Sequence, residues 1–136
     1  MSECAPLRVG IVSTANIATK NFEAISEARG VTVTAISSRT LSKAQAWSDA
    51  RGVGLKCYGS HAEMFADDEV DAVYIPAPTG VRAPLVLAAA AAGKSVVAEK
   101  PIAPTTDEAR AEIDACKAAG GGFARTRRAL CKYCVH

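Results

Sequence analysis

The sequence predicts an α/β fold in which helices cover both faces of a doubly wound parallel sheet within a single domain. Short segments rich in β-branched residues alternate along the chain with segments whose apolar residues recur at helical spacing. Strands that alternate with helices pair in parallel through right-handed crossovers, which place helices on both faces of the sheet. The 136 residues suffice for one domain, and no tandem repeat or long linker divides them.

Five short apolar segments are predicted to be the strands of this sheet. They span residues 7–12, 31–36, 55–58, 71–75 and 95–98. Pro76 and Pro78 end the fourth strand and Pro101 ends the fifth, because proline cannot donate a hydrogen bond to a sheet ladder. Polar or glycine-containing segments separate each strand from the next helix, as expected for βα connections.

Five helices are predicted between and after these strands. They span residues 17–28, 40–50, 60–65, 81–92 and 106–119. Gly30, Gly52 and Gly93 follow three of them, where a residue in the left-handed conformation commonly ends a helix. Ser60 can cap the start of the third helix, and Glu63 three residues later completes a capping box.

The composition is that of an ordinary globular protein and argues against several functional classes. A net charge of +2 gives no indication of a nucleic-acid partner. No run approaches the ~18 apolar residues of a membrane span, and the N-terminus lacks a basic region followed by an apolar segment. Five cysteines, an odd number, are typical of free thiols in a reducing compartment, so we expect a cytoplasmic location.

The first strand leads into a turn of small residues that is a candidate phosphate-binding site. Its residues are Ser13, Thr14, Ala15, Asn16, Ile17 and Ala18. Ser13, Ala15 and Ala18 occupy the positions of the G-x-G-x-x-G/A dinucleotide-binding motif. Small side chains let the backbone approach a diphosphate, although Ala15 lacks the freedom of glycine to adopt a positive φ. Taken alone, the segment could equally be an ordinary connection between a strand and a helix.

The end of the second strand carries a cation where NAD-binding domains usually carry an acid. That acid accepts a hydrogen bond from the 2′-hydroxyl of the adenosine ribose. Here Ser38 and Arg39 occupy the place, and Lys43 follows one turn into the helix. A guanidinium suits a 2′-phosphate and therefore favours NADP, with NAD also possible. The alternative interpretation of Arg39 is a solvated charge at the start of a helix.

The fifth strand ends in Glu99, Lys100 and Pro101. Pro101 pushes the preceding residue into an extended conformation, so the acid and the base are held at the carboxyl end of the strand. Ligands of open α/β sheets bind at that edge. Lys100 is therefore a candidate for proton transfer or cofactor anchoring, the alternative being a lysine in solvent.

Four separated segments together resemble the glucose–fructose oxidoreductase and inositol dehydrogenase family (Gfo/Idh/MocA). The segments are residues 8–18, 38–39, 71–76 and 93–101. Within the family, residues 13–18 and 78–82 look most like the NADP-dependent dihydrodiol and D-xylose dehydrogenases. The resemblance covers residues 7 to about 119. It implies a Rossmann-type domain that carries NADP and an enzyme that moves hydride to or from a sugar, polyol or diol carbon.

The resemblance also implies roles for individual residues. Lys100 falls on the family lysine beside the nicotinamide and the reacting hydroxyl, which makes it the expected catalytic residue. The residues expected to contact the cofactor are Ser13, Thr14, Ala15, Asn16, Ile17, Ser38, Arg39, Lys43, Pro76, Pro78, Thr79, Arg82, Glu99 and Lys100. Many family members carry histidine at the position of Arg82, and arginine cannot replace a titrating proton shuttle. Arg82 is expected to contact the cofactor or a substrate oxygen, or to lie on the helix surface.

Glycines 120–122 mark the only shift in composition. We predict a dinucleotide-binding domain over residues 1–120 and an unrelated, disordered basic tail over residues 121–136. Within the tail, Cys131, Cys134 and His136 are three potential ligands without a fourth, so no metal site is predicted.

The second domain of family enzymes supplies most of the substrate pocket, and the resemblance to this chain does not extend to it. We therefore expect the chain to be a truncated relative that binds NADP(H) but turns over poorly. The alternative is a nucleotide-binding module without catalysis, or an interaction partner of a full-length relative. The sequence makes no prediction about the oligomeric state.

Overall fold

Strands and helices alternate along the whole of the described chain, which is residues 5–125 of a computed structural model. The strands are β1 Leu7–Val12, β2 Val31–Ser37, β3 Lys56–Tyr58, β4 Ala72–Ile75, β5 Ser95–Ala98 and β6 Phe123–Arg125. The helices are α1 Asn16–Ser26, α2 Leu41–Arg51, α3 His61–Phe65, α4 Thr79–Ala91 and α5 Thr106–Ala118. The predicted fold class is confirmed. The five predicted strands and five predicted helices lie within a few residues of the observed ones.

All strand pairs are parallel, and the sheet order is β3-β2-β1-β4-β5-β6. β2 and β3 lie on one side of β1, and β4, β5 and β6 lie on the other side. In the register, Val9 lies opposite both Val33 and Ala72. The order reverses between β1 and β4, and ligands of such sheets bind in the crevice outside the carboxyl ends of the two strands at this point.

Side chains alternate between the two sheet faces, and each face has its own core. On one face, Ile11 and Ile36 pack with the buried residues of α1 and α2, including Trp47. On the other face, Val73 and Ile75 pack with the buried residues of α3, α4 and α5. The sheet is therefore covered on both sides, as the alternation of strands and helices predicts.

An ion pair joins β1 to the segment before β4 at the opposite edge from the crevice. The Arg8 guanidinium donates to both carboxylate oxygens of Asp71, at 2.8 and 3.0 Å, and the Arg8 backbone N–H donates to the same carboxylate. These bonds hold the pKa of Asp71 at about 2. The contact ties the start of β1 to the residue that precedes β4.

The sheet continues past the predicted domain boundary at residue 120. Phe123 pairs with Val96 across the β5–β6 ladder, and its side chain packs against the core beneath α5. β6 has only three residues and no periodicity of its own, so the sequence pattern does not predict it. The open edge of β5 supplies the hydrogen-bonding partners that stabilise it. The rest of the predicted tail, including Cys131, Cys134 and His136, lies outside the described residues.

Within residues 5–125, no helix is long and apolar enough to cross a lipid bilayer. The same residues hold no cluster of three or more His, Cys, Asp and Glu side chains that could bind a metal ion.

Candidate functional site

The predicted site residues follow four different strands, and the topology brings them to one edge of the sheet. They lie in the segments after β1, β2, β4 and β5 or in the helix starts that follow. Because all strands are parallel, their carboxyl ends meet at the same edge. Three strand spacings separate β2 from β5, which is roughly 14 Å. Such an edge suits an extended ligand with several polar groups.

Ser13 gives the turn after β1 its shape. Its φ of 87° places it in the left-handed region that favours glycine. The Ser13 N–H donates to the carbonyl of Ser37, and its hydroxyl accepts a hydrogen bond from the backbone of Ala15. Ala15 itself is extended, with φ −62° and ψ 155°. The positive φ that the motif suggests at Ala15 is therefore found at Ser13, two residues earlier.

Helix α1 begins directly after this turn with its amino end open. Ala15 is the N-cap, it makes no side-chain capping hydrogen bond, and the first turn contains no acid. The first N–H groups of a helix lack acceptors within the helix and lie at the positive end of its dipole. Ala18 is fully buried, so the helix packs close to the sheet. This arrangement can bind a phosphate group.

The end of β2 presents two exposed cations beside buried hydroxyls. Ser37 and Ser38 are buried, whereas Arg39 and Lys43 are exposed. The first turn of α2 contains no acid that would neutralise them. This end of the edge is therefore suited to an anionic group such as a phosphate.

His61 also lies at this end of the edge and was given no role in the sequence analysis. Its Nδ1 is 2.8 Å from the Ser37 hydroxyl oxygen. Burial lowers the pKa of His61, and the nearby charge of Arg39 lowers it further. The order of elements could have revealed it, because a residue that begins the helix after β3 must lie beside the end of β2.

The segment after β4 forms the wall of the crevice on the other side of β1. Pro76 and Ala77 are buried, Pro78 is the exposed N-cap of α4, and Thr79 is half-buried. Pro78 makes no side-chain capping bond, and the first turn of α4 contains no acid. A second open helix start therefore faces the same edge as that of α1.

Glu99 belongs to a hydrogen-bonded group that links α1, β4 and β5. Its Oε1 accepts hydrogen bonds from the Tyr74 hydroxyl at 2.6 Å and from Asn21 Nδ2 at 3.0 Å. Asn21 also donates to the Tyr74 oxygen. Burial raises the pKa of Tyr74, and the bond to Glu99 raises it further. Sequence reasoning missed Asn21 and Tyr74, although a tyrosine within an otherwise apolar buried strand indicates a hydroxyl with a partner.

Lys100 is exposed directly after Glu99. Its neighbour on the chain is held by the group around Tyr74, while its own side chain remains open to solvent. The position agrees with the predicted strand end, and the peptide bond that follows, to Pro101, is cis.

Arg82 is placed differently from its sequence-based expectation. It is only 1% exposed, so the helix-surface alternative does not apply. Its guanidinium points inward and donates to backbone carbonyls rather than into the open crevice. The acceptors are the carbonyl oxygens of Ala77, Glu99, Pro101 and Ile102.

The parallel sheet, its reversed strand order and the helices on both faces define a Rossmann-type domain. Residues 7–124 match the sequence profile of GFO_IDH_MocA, the oxidoreductase family with an NAD-binding Rossmann fold. The chain belongs to this family, and the resemblance stated from the sequence is confirmed.

Individual relatives include enzymes that act on sugars and diols. The chain is 41% identical over 111 residues to D-xylose 1-dehydrogenase (NADP(+)) 2 of Haloferax volcanii, covering 82% of this chain and 34% of that protein. It is 33% identical over 110 residues to trans-1,2-dihydrobenzene-1,2-diol dehydrogenase of Xenopus laevis, covering 79% and 33%. The chain thus spans about a third of the length of these relatives.

Solved structures give the same assignment. A 3-ketoreductase from Actinomadura kijaniata, in complex with TDP-benzene and NADP, superposes with a TM-score of 0.82 at 30% identity. The match covers 88% of this chain and 38% of that one.

Proposed function

We propose that the chain is the NADP-binding domain of an oxidoreductase that moves hydride between NADP and a sugar, polyol or diol carbon. The observation that carries the proposal is the chemistry of the sheet edge. An open helix start follows β1, exposed Arg39 and Lys43 follow β2 without an acid, and Lys100 follows β5. Across the sheet these groups follow the order β2, β1, β5, which matches the order of 2′-phosphate, diphosphate and nicotinamide along NADP.

The residues present fit NADP. The backbone of residues 13–17 would hold the diphosphate, because the turn and the start of α1 offer N–H groups at a positive dipole end. Ser38, Arg39 and Lys43 would hold the 2′-phosphate. The segment after β4, with Pro76, Pro78 and Thr79, would line the crevice toward the nicotinamide end. A bound NADP would supply the hydride acceptor or donor.

Lys100 would act on the reacting oxygen. An ammonium group can donate a hydrogen bond to that oxygen and stabilise the negative charge that develops on it. The substrate class is proposed from the relatives, whose names specify D-xylose and a dihydrobenzene diol. Cys57 and Cys116 are free thiols, which supports the proposed cytoplasmic setting.

The cofactor assignment is tested by exchanging the charge at Arg39. We expect Arg39→Asp to weaken NADPH binding roughly 10- to 100-fold relative to NADH, because charge-assisted hydrogen bonds are worth about 1.5–3 kcal/mol. Calorimetric titration of both cofactors measures the preference. Arg29→Asp is the matched control, since exposed Arg29 lies at the opposite edge of the sheet. An unchanged preference in Arg39→Asp would refute the 2′-phosphate role, and no binding at millimolar cofactor would refute the function.

We further propose that the 136-residue chain on its own binds NADP(H) without appreciable turnover. Catalysis requires the substrate to be held in a near-attack geometry, and the chain spans about a third of the length of the relatives. Spectrophotometric assays with D-xylose and a trans-dihydrodiol should give no NADPH production above background. Turnover at a rate typical of enzymes would contradict this proposal and exclude a purely non-catalytic module.

A further inference from the structure

We infer that Arg82 is a positioning residue that fixes the backbone on both sides of Lys100. The inference rests on the proposed role of Lys100 at the nicotinamide end of the site. Arg82 holds the segment after β5 against the segment after β4. It neither contacts the cofactor nor transfers a proton.

The hydrogen bonds of Arg82 converge on these two segments. Nε and Nη2 donate to the carbonyl oxygen of Ala77, at 3.1 and 2.8 Å. Nη1 donates to the carbonyl oxygens of Glu99 and Pro101, and at 3.2 Å to that of Ile102. The residues before and after Lys100 are thus both bonded to one guanidinium, while the Lys100 side chain stays exposed.

The planar guanidinium is suited to this task. It presents donors in several fixed directions, whereas a lysine ammonium is a compact charge on a flexible stem and a glutamine amide has only two donor hydrogens. Backbone carbonyls left without donors in a buried place cost about 1–3 kcal/mol each. Neither lysine nor glutamine can reproduce the contacts of Arg82 with both segments.

A buried acid on the neighbouring helix interacts electrostatically with Arg82. Glu112 on α5 is 2% exposed, and its Oε2 has no hydrogen-bond partner among the described residues. Burial lowers the pKa of Arg82, and the charges of Glu112 and Glu99 oppose that change. Desolvating a buried guanidinium costs free energy. We infer that this cost is offset because the guanidinium orders the segment after β5 through its hydrogen bonds.

The burial of Arg82 separates this role from direct cofactor contact. A residue that bound the cofactor would need open surface, and Arg82 is 1% exposed. Its removal should therefore act through Ala77 and residues 99–102, the two segments that its guanidinium joins. The nicotinamide half of the cofactor should lose affinity, whereas the adenosine half, bound beside β2, should not.

The experiment compares two ligands and one local readout in the full chain. NADPH and adenosine 2′,5′-bisphosphate, which lacks the nicotinamide half, are titrated into wild type, Arg82→Gln, Arg82→Lys and Lys100→Ala. We expect both Arg82 variants and Lys100→Ala to weaken NADPH roughly tenfold, the loss of one charge-assisted hydrogen bond, and to leave the bisphosphate unchanged. Amide hydrogen exchange over residues 99–103 should rise roughly tenfold in the Arg82 variants.

Arg110→Gln is the matched control, because exposed Arg110 lies on α5 and makes no contact assigned to this segment. The inference is overturned if exchange over residues 99–103 is unchanged in a folded Arg82 variant, if Arg110→Gln has the same effect, or if both ligands are weakened equally. Failure of wild type to bind either ligand would instead refute the proposed function.

A measurement on wild type keeps the inference testable if neither Arg82 variant folds. With ¹⁵N-labelled arginine, the Arg82 guanidinium should give resolved Nη–H resonances with slow rotation and cross-hydrogen-bond couplings to carbonyl carbons. Freely rotating Nη groups would overturn the inference.

Discussion

At the residue scale, Ser13 shows how a turn without glycine can take the shape of a phosphate-binding loop. Only one non-glycine residue within the described chain has a positive φ, and it is the residue that connects β1 to the turn. Its short side chain limits the steric penalty, and its hydroxyl is bonded to the backbone of Ala15. Serine therefore holds the positive φ that glycine usually supplies at such a turn.

Substitutions of Ser13 should follow the cost of this conformation. We expect Ser13→Gly to lie within about 1 kcal/mol of wild type, since glycine relieves the strain but loses more entropy on folding. Ser13→Val should destabilise the chain by about 1–3 kcal/mol, because a β-branched residue is strained there. Urea unfolding measures both values. Equal stability of the two variants would contradict the assigned strain.

The residues that sequence reasoning misplaced share a physical cause. The sequence places Arg82 in the helix after β4. The direction of its side chain, however, depends on the backbone carbonyls of Glu99 and Ile102, which accept its hydrogen bonds. The conformational demand was expected at Ala15 because motif positions do not reveal which residue turns the chain. Both features are set by contacts between segments distant along the chain.

At the element scale, the segment between α3 and β4 depends on two ionised carboxylates. Asp71 is bonded to the side chain and backbone of Arg8, and Asp67 accepts hydrogen bonds from the Tyr58 hydroxyl and the Glu69 N–H. Each has a pKa of about 2, below the ordinary 3.8. Both groups therefore stabilise the folded chain above about pH 4, and this stabilisation is lost as the pH falls toward 2.

Removal of one carboxylate should make the chain less sensitive to acid. We expect Asp71→Asn to lose less stability than wild type between about pH 4 and pH 2. At pH 7 the cost should stay under about 1 kcal/mol, because the pair is over a third exposed and water screens it. Urea unfolding at pH 7 and pH 3 measures both effects. Asp68→Asn, an exposed neighbour, is the control, and an equal acid response in all three proteins would contradict the prediction.

The elements themselves were largely predictable. Apolar periodicity identified the first five strands and all five helices, since each buries a face whose spacing is visible in the sequence. β6 was not predictable in this way. Its three residues show no alternation, and its existence depends on the unpaired edge of β5.

At the scale of the whole molecule, β6 covers the edge of β5 and forms one end of the described sheet. Without it, β5 would present a row of unpaired backbone groups beside apolar Val96 and Val97, which favours association between chains. Ser95 adds a side-chain bond to the backbone of Gly122, just before the strand. The strand that carries Lys100 at its end is thereby held on both sides.

Truncation should reveal this contribution. A chain that ends at residue 120 should be less stable than one that ends at residue 125 by about 1–3 kcal/mol, the value of burying one large apolar side chain, Phe123. Thermal denaturation measures the difference, and size-exclusion chromatography measures association through the open edge. Identical melting temperatures and elution volumes would show that β6 contributes nothing.

The sheet order also governs how the site can assemble while the chain is being synthesised. β1 gains its first neighbour, β2, early, but its second neighbour, β4, is separated from it along the chain by α1, β2, α2, β3 and α3. At about 5–20 residues per second, β4 follows β1 out of the ribosome after roughly 3–12 s. A nascent chain has no crevice until β4 docks. A nucleotide that spans the proposed site can therefore make its full set of contacts only with the late intermediates of folding.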